Sequence, residues 1–278
     1  MKKVRIDEYL VAQDYYQTKD AAMRAIMAGL VFDDNIRIDT AGEKIDPLKV
    51  RIRVKDRRKK YVSRGGLKLE KALHQFDLEI KDRVHLDIGS STGGFTDCAL
   101  QNGAKHVYAL DVGTNQLDYR LRIHPKVTVM EQTNFRYVTR EAFDSIPDFV
   151  SIDVSFISLS LIFKTLVNVI EDDSDVIALI KPQFEAHKEA VDKGIVKSMD
   201  THKDVIQKVL NYATDYGLHP QNLTYSPISG TKGNIEYLLH LKFKAEKMDN
   251  HSSVDQQIIN DTYIISIINE AFNTLNHC

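Results

Sequence analysis

The chain has 278 residues, 43% hydrophobic and 27% charged, with a formal net charge of −2. That is the composition of a globular protein with room for one large or two modest domains. No apolar run approaches the ~18 residues of a membrane span, and Asp7 and Glu8 interrupt the basic start before an apolar leader could form. Cys98 and Cys278, the only cysteines, can build neither a disulfide framework nor a zinc cluster. The expectation is a cytoplasmic protein with no membrane partner and no metal. Charge is uneven along the chain. Residues 1–60 carry 15 Lys/Arg against 10 Asp/Glu, and the remaining 218 carry 22 against 29. A basic small domain on an acidic large one points to a polyanion met by the first. An ordinary solvated basic face would account for the same charges.

Residues 5–16 begin an amphipathic helix with Ile6, Tyr9 and Leu10 on one side. Thr18 reads as the N-cap of a second helix, with Asp20 in its first turn. Ala22, Met23, Ile26 and Met27 keep helical spacing, and Gly29 fits the C′ position. Leu30–Phe32 and Ile36–Ile38 read as short strands about an Asp33-Asp34-Asn35 turn, and Val50–Val54 alternates as a half-buried strand should. The first ~55 residues are therefore read as a small α+β unit. Lys55 to Lys60 form a charged linker, which sets the domain boundary at residues 60/61.

The large domain opens with Ser63-Arg64-Gly65-Gly66-Leu67-Lys68, a turn into a helix with Leu67, Ala72 and Leu73 inward. Lys68 falls in the first turn, where a cation opposes the helix dipole, so helix stability explains it poorly. Val84 to Ile88 is a strand, followed by a glycine-rich turn and a helix opening near Gly94. Such a loop at the carboxyl end of a parallel strand is where open α/β sheets bind ligands. The spacing is G-x-x-x-G-G, with Ser91 where the dinucleotide fingerprint needs its second glycine. Asp87 would repel a pyrophosphate but suits a cationic ligand, which favours S-adenosylmethionine. A plain strand-to-helix turn or another nucleotide site stays open. The candidate cofactor residues are Asp87, Gly89, Ser90, Ser91, Thr92, Gly93, Gly94, Phe95, Asp111, Asn134 and Asp153. Asp111 ends the next strand, 22 residues past Gly89, the separation at which an acid reaches a ribose.

Further strands are read at Lys126–Met130, Phe149–Asp153, Val176–Ile180, Leu223–Pro227 and Tyr237–Phe243, with a helix over 201–215. The alternation predicts a parallel, Rossmann-like sheet with helices on both faces. A final helix is read from Val254 to Leu275, with Ile258, Ile265, Ile268 and Phe272 on its apolar stripe. It would cap the core or join two copies, so monomer and homodimer both stay open. Lys68, Asp153, Lys181 and Glu236 fall at strand or helix ends. Together they suit methyl transfer to a hydroxyl, a poor nucleophile that a lysine of lowered pKa, or a lysine cation, would activate.

The chain resembles the TlyA (haemolysin A) family of FtsJ-like RNA 2′-O-methyltransferases. The resemblance is carried by Ser63–Lys68, Asp87–Thr96, Asp153-Val154-Ser155-Phe156-Ile157, Ile180-Lys181-Pro182-Gln183-Phe184-Glu185 and Gly233-Asn234-Ile235-Glu236. Residues 18–31 resemble the core of the S4 RNA-binding domain, although Phe32-Asp33-Asp34-Asn35 stands where that family usually has Val-Asn-Gly. The resemblance implies a Rossmann-like methyltransferase sheet with a small N-terminal S4 domain. It implies S-adenosylmethionine as cofactor and ribosomal RNA within subunits as partner, with cytidine modified. It also implies a catalytic tetrad of Lys68, Asp153, Lys181 and Glu236, with Lys181 central. Lys19, Arg24, Arg57, Arg58, Lys59, Lys60 and Arg64 are the candidate RNA contacts by position. An inactive ribosome-binding assembly factor and a haemolysin-like membrane-active protein are the alternative readings.

Overall fold

The structure is a computed structural model and describes residues 3–13, 15–16, 18–47, 49–54, 60–245 and 259–275. The chain divides into two compact units, residues 1–59 and 60–278.

The first unit pairs two helices with two small antiparallel sheets. Strand β1 (Val4–Arg5) runs straight into α1 (Ile6–Ala12), and α2 (Lys19–Met27) follows. Thr18 caps α2 as expected, its hydroxyl accepting from the Ala21 N–H at 3.2 Å. Gly29 closes it at φ +69°, left-handed backbone that glycine adopts without strain. Strands β2 (Val31–Asp33) and β3 (Ile36–Arg37) form the hairpin, β4 (Lys44–Ile45) pairs with β1, and β5 (Ile52–Val54) pairs with β2. Ile6, Leu10, Ala22, Ile26, Val31, Ile38 and Ile45 make the core. The β1–β4 pair is absent from the sequence reading, and α1 is shorter than residues 5–16. Two-residue strands are too short to show a period of two.

The second unit is a three-layer α/β sandwich. Its elements run α3 (Gly66–Gln75), β6 (Val84–Ile88), α4 (Gly94–Gln101), β7 (His106–Leu110), α5 (Tyr119–Arg122), β8 (Val127–Met130) and β9 (Phe149–Ile152). There follow α6 (Leu159–Leu166), β10 (Asp175–Ile180), α7 (Pro182–Glu185), α8 (Met199–Asp215), β11 (Leu218–Tyr225), β12 (Tyr237–Phe243) and α9 (Asp261–Leu275). The sheet order is β11-β12-β10-β9-β6-β7-β8. Side chains alternate across it. In β10, Val176, Ala178 and Ile180 join the core beneath α6, α8 and α9, while Ile177 and Leu179 join that beneath α3 and α4. Among the described residues, no helix is long and apolar enough to cross a membrane.

Three expectations need correction. The sheet is mixed, because β12 runs antiparallel to both β10 and β11. A hydrophobic run carries no sign of its direction, so alternation of strands and helices could not show this. Strand β11 also begins at Leu218 rather than Leu223, with Pro220 beside a bulge, which an edge strand tolerates. In α9 the buried stripe is Ile264, Ile267, Ile268 and Ala271, while Ile265 is 43% exposed. The helix packs on α8 and β11 and so caps the core. Residues 254–258 lie outside the described residues.

The turn from β6 into α4 is tied from below. Asp87 is fully buried, accepting from Thr96 N at 2.9 Å, Thr96 Oγ1 at 2.7 Å and Ser151 Oγ at 3.2 Å. Burial outweighs these bonds and pushes its carboxyl up to about 7, against 3.8 for an ordinary aspartate. The folded state therefore holds a proton that the unfolded chain has lost. The stabilising share of this group is complete below about pH 4 and disappears as pH rises through about 7. Between pH 5 and 8 the parent should lose about 2 kcal/mol more unfolding free energy than Asp87→Asn, read from urea melts. Parallel stability curves over that range would contradict it.

Candidate active site

The carboxyl ends of β6, β9 and β10 form one edge of the sheet, and four charged side chains meet there. Asp153 follows β9, and Lys181 follows β10. Glu236 reaches the same edge because β12 is reversed: Tyr237, its first residue, pairs with Ile180, the last of β10. Lys68 comes from the first turn of α3 above. Lys68 Nζ lies 2.8 Å from Glu236 Oε2 and 3.3 Å from Asp153 Oδ2. Lys181 Nζ lies 2.5 Å from Asp153 Oδ1 and donates to Ser155 Oγ at 3.0 Å. The order is Glu236, Lys68, Asp153, Lys181, with Asp153 shared by both lysines.

Burial alone would depress Lys68, but the Asp153 and Glu236 charges outweigh it and hold its pKa above the usual lysine value. A lysine of lowered pKa is therefore not what Lys68 supplies. Burial likewise opposes charge on Asp153, and the two lysines outweigh it, holding its carboxyl below the usual range. The poor fit of Lys68 to the helix dipole is resolved by these two acids.

Close packing of glycines delivers Lys68 to this place. A side chain at Gly94 would collide with Ser63 Oγ and stand 2.8 Å from Gly66 N. The start of α3 thus rests on the start of α4. At Gly89, φ is +85° and a Cβ would stand 2.5 Å from the Asp153 carbonyl, so the loop lies directly against the end of β9.

Two clefts open along this edge. One, of about 410 Å³, is lined by Lys68, Asp153, Lys181 and Glu236 together with Arg64 and the loop residues Ser90, Ser91 and Thr92. The other, of about 570 Å³, is lined by Asp111, Val112, Gln116, Asn134, Phe156 and Ile162. Gly89, Ser91, Asp153 and Ser155 line both. The Ser90 side chain is buried in the first cleft, and its hydroxyl has no hydrogen-bond partner among the described residues. Asp111 accepts from Ser91 N at 2.8 Å and Gly113 N at 2.7 Å, so it braces the loop as well as lining the second cleft. Asp87 lies at the base of the first cleft beneath the loop, fully buried and bonded to Thr96 and Ser151. Gly93 and Phe95 serve the turn itself, Gly93 at φ +93° and Phe95 buried.

Of the candidate RNA contacts, Arg64 is exposed at the first cleft. Lys60 is paired with Glu70. In the first unit, Lys19 is paired with Glu8 at 2.8 Å, while Arg24 is exposed with no ion pair among the described residues. Arg57, Arg58 and Lys59 lie outside the described residues.

Several residues that build the site carry no sequence reading of their own. Ser155 holds Lys181. Glu185, buried, accepts from Ser158 Oγ and Leu159 N and so ties the Lys181 segment to the start of α6. Asn234 bonds Gly194 O, Thr231 O and Val196 N and fixes the segment before Glu236. Glu131 accepts from the N–H groups of Asn115, Gln116 and Leu117, shaping the wall of the second cleft. Phe156 is 90% exposed, with its ring 4.8 Å from Phe184. Glu185 and Asn234 sit four residues after Lys181 and two before Glu236, and that proximity is the one signal that could have found them.

The family model described as FtsJ-like methyltransferase matches residues 61–243. A Bacillus subtilis protein named "Putative rRNA methyltransferase YqxC" is 48% identical over 99% of this chain and 96% of its own length. The Mycobacterium tuberculosis protein named 16S/23S rRNA (cytidine-2′-O)-methyltransferase TlyA is 36% identical over 88% of this chain and 92% of its own. A solved structure titled "Putative hemolysin from Streptococcus thermophilus" superposes with a TM-score of 0.73 at 44% identity, covering 100% of this chain and 98% of that one. The tetrad edge and the glycine loop both lie in the matched segment, and the chain belongs to the FtsJ-like methyltransferase family.

Proposed function

We propose that this protein transfers a methyl group from S-adenosylmethionine to a ribose 2′-hydroxyl of ribosomal RNA, with cytidine as the modified nucleoside and the cytoplasm as its place of action. The observation that carries the reading is Lys181, held between Asp153 and Ser155 at the edge shared by two clefts. The activity in the name of the Mycobacterium tuberculosis relative supports the acceptor and the nucleoside.

The donor fits the residues present. The unpartnered Ser90 hydroxyl and the close-packed Gly89 leave polar contacts and room beside the loop. Asp111, Gln116 and Asn134 offer polar groups along the second cleft, and Phe156 and Ile162 offer apolar surface. We assign Gly89–Ser91, Asp111 and Asn134 to the donor. When bound, S-adenosylmethionine supplies a methyl group on a positively charged sulfur.

The chain's own task is to position the acceptor oxygen and favour its alkoxide character. Lys181 faces that oxygen. Asp153 holds Lys181 in place, and Lys68 with Glu236 neutralises and fixes Asp153 from behind. Two ammonium and two carboxylate groups make the cluster neutral overall, so it binds a polyanion without strong repulsion. The exposed Phe156 ring, set against the half-buried Phe184, gives a stacking surface beside it. Transfer then depends on in-line positioning.

Lys181→Ala should lower tritium transfer from labelled donor to stripped ribosomal subunits by at least ~100-fold, with donor affinity by calorimetry unchanged. Lys181→Arg should fail as well, because a planar guanidinium cannot take the place of a tetrahedral ammonium held between Asp153 and Ser155. Near-normal turnover of Lys181→Ala would overturn the assignment. An active Lys181→Arg would keep the site but show that any cation there suffices.

The first unit is assigned to RNA binding as an S4-like domain, with Arg24 as a phosphate contact. Arg24→Ala should weaken subunit binding and reduce the salt slope of that binding by about one, while donor affinity stays the same. An unchanged slope would remove Arg24 from the interface.

A further inference from the structure

Asp153 alone cannot aim Lys181. An ammonium carries three N–H groups on a tetrahedral nitrogen. With a single contact the side chain swings about the Nζ···Oδ1 line, and its other two N–H groups sweep a cone around it. A second contact stops that rotation and gives the third N–H one direction. In this structure the first contact is Asp153 Oδ1 at 2.5 Å and the second is Ser155 Oγ at 3.0 Å.

Ser155 is well placed for such a task. It stands two residues after Asp153, and the backbone turns sharply at its neighbour Phe156, where φ is +63°. It lines both clefts, at the junction where donor and acceptor have to meet. Ser158, three residues on, does different work: it caps α6 and donates to Glu185. The segment thus holds two hydroxyls, one given to a helix end and one to a lysine.

We infer that Ser155 is a positioning residue: by accepting one N–H of Lys181, it directs another toward the acceptor oxygen. This rests on the reading of Lys181 as the group that faces the 2′-oxygen. An ordinary exposed serine could be lost without effect on the rate. A positioning serine is needed only once both substrates are bound, so its loss shows in kcat and not in affinity.

The test uses the full-length protein in single-turnover methyl transfer, with donor and ribosomal subunits both saturating. Ser155→Ala should slow transfer about 10- to 100-fold, the scale of a misplaced reacting group, with the dissociation constants of donor and subunit changed by no more than about twofold. Ser155→Thr keeps the hydroxyl and should stay within about threefold of the parent rate, whereas Ser155→Cys keeps the volume, offers only a weak acceptor, and should be as slow as Ser155→Ala. A parent-like rate in Ser155→Ala, a loss confined to KM or donor affinity, or equal losses in the Thr and Ala variants would overturn the inference. Lys181→Ala, measured alongside, separates the two readings. If Lys181→Ala is slow and Ser155→Ala is not, only the role of Ser155 falls. If Lys181→Ala turns over normally, the reading of Lys181 falls and takes Ser155 with it.

Discussion

One carboxylate shared by two lysines is the constraint on which the rest of the site depends. Asp153 gives one oxygen to Lys181 and the other to Lys68. Taking such charges out of water is costly, and losing one member of a buried pair typically costs about 3–5 kcal/mol. The cluster is tolerated because it is neutral overall and because each charge has a close partner. No two of its members come from one element. Helix α3, strands β9 and β10, and the segment before β12 must all be in place before the charges balance. The same geometry that makes the cluster stable therefore makes it a reporter of the folded sheet.

Backbone packing sets the distances in that cluster. Gly89 lets the loop lie against the Asp153 carbonyl, and Gly94 lets the start of α4 meet Ser63 and Gly66. Larger residues at either place would push Asp153 or Lys68 outward. Glu185 and Asn234 do comparable work with hydrogen bonds, anchoring the segments that carry Lys181 and Glu236. The polar groups that face the clefts are few; those that hold them are many. This is the usual relation between a site and its support, in which the supporting bonds fix rotamers that the reacting groups cannot fix for themselves.

Much of this was legible in the sequence, for a physical reason. Buried strands such as Val107–Leu110 and Val176–Ile180 are continuous apolar runs, and each is followed at once by a chemistry-bearing residue. That places Asp153 and Lys181 at one edge without any knowledge of distances. The reversal of β12 was hidden, since an apolar run reads the same in both directions, yet it alone brings Glu236 to that edge. The surroundings of Asp87 were hidden, because sequence shows a carboxylate but not its burial or the donors around it. Thr96, nine residues later, and Ser151, on another strand, bond it beneath the loop. Ser155 was invisible for the opposite reason: an exposed serine in a loop has no pattern, and only the distance to Lys181 distinguishes it. In α9 the apolar residues are dense enough that several stripes fit the period, and packing chose the one that excludes Ile265.

The central claim is that the charged cluster acts on a ribose oxygen and not on a base. The most direct measurement is the chemical position of the methyl group placed by the purified protein on ribosomal subunits that lack it. Methylated RNA would be hydrolysed in alkali and the fragments identified by mass spectrometry. A methyl group on the 2′-oxygen removes the nucleophile that alkali needs, so the account predicts a resistant dinucleotide carrying the added methyl on its ribose. A single nucleotide released normally with the methyl on its base would contradict it.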